Sequence, residues 1–129
     1  MKRLIAVPVI VAALMGSALV ANGQTPATGR MMREKLAHAQ RLLEAITTSN
    51  YKLLERESVA LSRLTETPRW EDLKTPEFRG YSDDFLKATL DLTEAAKARD
   101  LDAAADHYGS LVAACYRCHR HVKDARIAR

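Results

Sequence analysis

Residues 100–123 read DLDAAADHYGSLVAACYRCHRHVK, and the spacing of their apolar members decides the fold class. Ala104, Tyr108, Leu111, Val112, Cys115 and, further on, Val122 recur every three or four positions, which is the period of one helix face. Asp100 stands just ahead, where a side-chain oxygen can accept N–H groups of a first turn. Working backwards, Phe85, Leu86, Thr89, Leu92 and Ala96 form a second stripe of this kind, with Ser82, Asp83 and Asp84 as its expected cap and acidic first turn. Leu54, Leu61 and Leu64, supported by Leu53 and Ala60, form a third. Met32, Leu36, Ala39, Leu43 and Ile46 form a fourth, on a helix expected near residues 30–47. Thr47-Thr48-Ser49-Asn50 is a cluster of capping residues at which the chain either turns or runs on as one helix. Thr67-Pro68, Lys74-Thr75-Pro76 and Gly80 interrupt the pattern over residues 66–81, so a long connection is expected there, with Trp70 as its anchor. No β-rich segment occurs after residue 24. The expectation is all-α, an antiparallel four-helix bundle.

The beginning of the chain has a different character. Lys2 and Arg3 precede an apolar run from Leu4 to Val20, and Ala21-Asn22-Gly23 resembles a small-x-small cleavage site. Residues 1–23 are therefore expected to be a signal peptide, 24–29 a linker and 30–129 the helical domain, in a periplasmic or secreted protein. An uncleaved anchor is the rival reading, with a run marginal for the ~20 apolar residues of a bilayer span. The chain has 20 Lys and Arg against 16 Asp and Glu; without Lys2 and Arg3 the net charge is +2. That balance, with no basic stripe interleaved with aromatics, argues against nucleic acid as a partner. Arg117, Arg120, Lys123, Arg126 and Arg129 gather at the far end. They either complement the negative end of a helix or form a docking patch for an acidic redox partner.

Both cysteines and two of the four histidines lie within seven residues. Cys115-Tyr116-Arg117-Cys118-His119 is C-x-x-C-H, the attachment pattern of c-type haem. On a helix, Cys115 shares a face with Cys118 at i+3 and with His119 at i+4. Two thiols can then form thioethers with the haem vinyl groups while His119 binds the iron as axial ligand. The competing uses of such residues fit less well. A disulfide would close a very small helical loop, and a thioredoxin-like pair wants a βαβ setting. A zinc site needs four ligands around one point, which a single helix does not offer. One covalent haem c per chain is the expected cofactor.

The end of the chain, from Cys115 to Lys123, resembles the haem-binding end of the cytochrome c′ family, the class II c-type cytochromes. These are exported four-helix bundles with the haem motif on the last helix. Only the C-x-x-C-H stretch is specific to the likeness; helix number and order add to it. The family often has an aromatic residue three positions after the haem histidine and a basic one next. Val122 departs from the first and Lys123 keeps the second. The resemblance implies Leu36 or Leu43 of the first helix as an apolar cover on an open distal face, or Met32 as a possible sixth ligand. It also implies that Lys123 approaches the proximal side. Tyr108, on the core stripe, can turn its hydroxyl to a haem edge. His38 lies off the first stripe, and His107 and His121 share the haem helix, so none of them is expected to reach the distal iron.

The functions expected from these residues are one-electron transfer with a periplasmic partner protein or binding of a diatomic gas such as nitric oxide or carbon monoxide. The first-helix stripe offers no His/Arg pair to assist O–O cleavage, so no enzyme activity is expected. A homodimer through the first two helices is compatible with the family.

Overall fold

The computed structural model describes residues 26–67 and 75–127, and among these the regular structure is all helix, with no strand. Four helices, α1 (Pro26–Thr47), α2 (Tyr51–Leu64), α3 (Pro76–Ala98) and α4 (Leu101–Ile127), pack around one apolar core. The expected signal peptide, Trp70 in the connection, and Arg129 lie outside the described residues, as does the side chain of Arg126. No helix among the described residues is long and apolar enough to cross a membrane.

Two of the connections use the same local device. Ser49 and Arg99 both take left-handed backbone at φ 56°. After each, the next N–H turns back to the helix just ended: Asn50 to the Ala45 carbonyl at 2.8 Å, and Asp100 to the Ala95 carbonyl at 3.0 Å. This hydrogen-bonded reversal satisfies carbonyls that a helix end leaves open. Asn50 and Asp100 then cap α2 and α4 respectively. The Leu53 N–H donates to Asn50 Oδ1 at 3.0 Å, and the Ala103 N–H donates to Asp100 Oδ1 at 2.9 Å. Thr47 to Asn50 therefore breaks the chain into two helices, the first of the alternatives the capping cluster leaves.

Two helix starts differ from expectation. α1 already includes residues 26–29, inside the stretch expected to be a linker, and proline's fixed φ is compatible with a first helical turn. α3 begins at Pro76 rather than at Ser82. Thr75 is its cap, accepting the Phe78 N–H at 3.1 Å, so the Thr-Pro pair that reads as a breaker is a start signal. Ser82, Asp83 and Asp84 fall within the helix, and Ser82 donates its hydroxyl back to the Phe78 carbonyl at 2.8 Å. Gly80 is thereby helical and exposed, and a Cβ placed there meets nothing within 4 Å. Gly80→Ala is expected to raise stability by roughly 0.5–1 kcal/mol, because glycine's extra freedom in the unfolded chain is removed without a clash. Thermal unfolding checks this, and a fall in the midpoint would contradict the helical start.

Leu42, Leu54, Leu61, Leu92 and Leu111 are wholly buried, with Phe78 and Phe85 beside them. Each helix packs on the next in sequence, while α1 meets α4 over a shorter stretch. α2, α3 and α4 turn most of the stripes expected of them inward, wholly buried or half-buried. The exception on α4 is Val112, 48% exposed. α1 is turned about 100° from expectation, one residue's rotation. Met31, Leu42 and Ala45 face inward, whereas Leu36 is 58% and Leu43 48% exposed. Two neighbouring rows on α1 are both largely apolar, and the buried one includes Lys35 and His38. Polar partners inside the bundle make that row the better one to bury.

The main such partner is Glu57 of α2, which is 3% exposed. His38 Nδ1 lies 2.6 Å from its Oε2, and Arg41 Nε donates to the same oxygen at 3.0 Å. Arg56 donates to Oε1 through Nη2 at 2.8 Å and Nε at 3.0 Å. An ionised carboxylate only accepts, so His38 carries its proton on Nδ1. A second buried link, Ser58 to Thr93 at 2.8 Å, ties α2 to α3.

Candidate functional site

The α1–α4 seam can be located from the contacts on either side of it. On α1, His38 and Arg41 reach Glu57, so their edge faces α2. At about 100° per residue, Met32, Leu36, Ala39 and Leu43 occupy the opposite edge. On α4, Arg117 pairs with Asp84 at 2.9 Å, and His107 approaches Asp91 at 3.8 Å, so their edge faces α3. Tyr108, Val112, Cys115 and His119 lie round toward the other edge. Overall, α1 and α4 meet less extensively than the helices that follow one another in sequence. Val112 at 48% and Tyr116 at 63% exposed join Leu36 and Leu43 as large side chains left in solvent.

Cys115 and Cys118 are free thiols, half-buried and packed against the core. Burial pushes both thiols upward in pKa, against the opposing pull of the Lys35 ammonium. Tyr108 is half-buried one helical turn before Leu111, its hydroxyl also pushed up, first by burial and then by Cys115. His119 and Lys123 are exposed. The remaining histidines have other attachments: His38 to Glu57, His107 toward Asp91, and His121 against the Tyr81 ring at a centroid distance of 5.4 Å. Of the terminal cations, Arg117 is paired with Asp84 and Arg120 lies 5.6 Å from the Tyr116 ring.

Cys115, Cys118, His119 and Tyr108 thus turn to the α1 side of α4, where Lys35 of α1 acts on both thiols, while half-buried Met32 and exposed Leu36 and Leu43 lie about one residue's rotation further out on α1. Leu36 and Leu43 are not core residues, as their stripe implied. Among the described residues no group of three or more His, Cys, Asp or Glu is arranged to hold a metal ion.

Lys35 is the residue that the sequence pattern misses. Its Nζ lies 3.8 Å from the centroid of the Phe85 ring on α3. Burial lowers its pKa to about 8, against opposing contributions from Cys115 and Cys118. A lysine inside the apolar row formed by Met31, Leu42 and Ala45 was the available signal, but reading the neighbouring row as buried puts Lys35 in solvent.

No protein-family model, curated protein or solved structure matches this chain.

Proposed function

We propose that this chain is a periplasmic c-type cytochrome with one haem bound through Cys115 and Cys118, its iron held by His119, and that it carries single electrons. The observation that carries this reading is the seam: two free thiols at i and i+3 beside an exposed imidazole, bordered by apolar side chains that their own bundle leaves uncovered. The residues fit the group. A flat apolar ring system entering between α1 and α4 would cover Leu36, Leu43 and Val112. Each is about half exposed, so covering it contributes roughly 1 kcal/mol. The bundle is read as antiparallel, supported by the order of cross-helix pairs: Asp84 with Arg117, then Asp91 with His107, one index rising as the other falls. The Cys115–His119 motif and the leader-like start of the chain support the cytochrome c′ likeness and export.

Bound haem supplies an iron that cycles between ferric and ferrous states, with a potential set by axial ligand, burial and hydrogen bonding. The chain supplies position. Cys115 and Cys118 lie on one face of a single rigid helix, so their thiols present a fixed spacing to the two vinyl groups. The Cys115 and Cys118 thiols would hold the group by each adding S–H across a vinyl C=C, sulfur to one carbon and hydrogen to the other, with no oxidant. His119, four residues after Cys115, is the imidazole of the four with no other attachment among the described residues. Leu111 and Phe85 are buried in the core on the inner side of the motif, where they would keep water from a bound group. Exposed Tyr116, Arg120 and Lys123 lie at the surface beside the motif, where a partner protein would approach.

Gas binding at an open iron is the second reading, favoured by the apolar character of Met32, Ala39, Leu36 and Leu43 on the outer edge of α1 beside the motif. The attachment test comes first. Full-length chain made in a host able to mature c-type haem is expected to show, under denaturing mass spectrometry, one haem on the peptide containing Cys115 and Cys118. A bare polypeptide from that host would overturn the reading.

A further inference from the structure

The position of Lys35 bears on what stands opposite His119. Lys35 Nζ lies over the Phe85 ring at 3.8 Å. The neighbouring residue on α3, Asp84, is ion-paired with Arg117, the neighbour of Cys118. The two contacts place the amine at the level of the attachment sulfurs, in agreement with the electrostatic influence of both thiols on it. Leu36 and Leu43, the covers implied by the family likeness, are instead about half in solvent. Met32 is one turn nearer the start of α1.

We propose, resting on the haem reading above, that Lys35 is the sixth ligand, its neutral amine bonding the iron on the face opposite His119. An ammonium has no lone pair to give, so the side chain must release its proton to solvent as the Fe–N bond forms; no electron is exchanged. Its surroundings favour that release. Burial disfavours the ammonium. Two nitrogen ligands give a six-coordinate iron with no vacant position, which favours electron transfer over gas binding.

The test uses holoprotein whose haem content is verified by mass, with folding checked by circular dichroism. Ferric parent protein is expected to give a low-spin paramagnetic resonance and absorption spectrum between pH 7 and 9. Lys35→Arg retains the charge and the aromatic contact but stays protonated and cannot ligate. It is expected to become high-spin, as is Lys35→Gln, and both should bind carbon monoxide at least tenfold faster than the parent once reduced. Met32→Leu should keep the parent spectrum. A high-spin parent at pH 9, a low-spin Lys35→Arg protein, or loss of the low-spin spectrum in Met32→Leu alone would each overturn the assignment. A chain that carries no haem by mass overturns the haem reading instead, so the two failures are distinct.

Discussion

Glu57→Gln is expected to destabilise the fold by about 2–3 kcal/mol and to flatten its response to acid. Removing one member of a buried ionic cluster ordinarily costs 3–5 kcal/mol, because the charges left behind are desolvated. Here Arg41 and Arg56 are about half or more exposed and can rehydrate, which lowers the figure, whereas His38 is largely covered. Burial alone would raise the Glu57 carboxyl. The hydrogen bonds from His38, Arg41 and Arg56 outweigh it and hold the pKa at about 2, against an ordinary 4.5. A depressed carboxyl stabilises the folded state fully above its unfolded pKa, and that stabilisation is lost as pH falls through the folded one. The parent should therefore lose on the order of 3 kcal/mol between pH 4.5 and 2 from this group. Denaturant unfolding across that range measures it. A Glu57→Gln protein as stable as the parent at pH 7, with the same acid limb, would contradict this account of how α1 is held to α2.

That cluster also explains what the sequence could and could not convey. α3 and α4 are legible because each has one apolar face and one charged face: Phe85, Thr89, Leu92 and Ala96 on one, Ala104 and Leu111 on the other, all buried as their period implies. α1 has apolar residues on two adjacent rows, so periodicity alone does not choose between them. The choice is made by Glu57 and Phe85 on other helices, which accept His38 and Lys35 into the bundle. Those are tertiary partners, and no local pattern carries them. The start of α3 is obscured for a different reason. Proline stops a helix when it is interior and starts one at the first position, and Thr75 decides between these by capping. At the candidate site, Cys115, Cys118 and His119 are legible from spacing, because a rigid helix fixes what i, i+3 and i+4 share. The opposite wall is not, since a one-residue rotation of α1 exchanges Leu36 for Lys35.

Replacing both Cys115 and Cys118 by serine is expected to abolish covalent haem while leaving the bundle folded. Serine has nearly the shape of cysteine but its hydroxyl does not add to a vinyl group, so the substitution removes the bond and little else. Both thiols are only half-buried and make no disulfide, so little packing is lost. Helical circular dichroism should be unchanged, and denaturing extraction should release all haem from the double variant and none from the parent. Cys118→Ser alone should keep a single thioether, seen as a haem that stays on the chain with an altered absorption spectrum. His119→Ala separates ligation from attachment. Because His119 is exposed and outside the core, its loss should not unfold α4. Haem should remain bound through both sulfurs, but the spectrum should change with the loss of the proximal bond. A His119→Ala protein with the parent spectrum would mean that another side chain holds the iron. His38, His107 and His121 each have partners among the described residues, so the replacement would have to break one of those contacts, most measurably the link from His38 to Glu57.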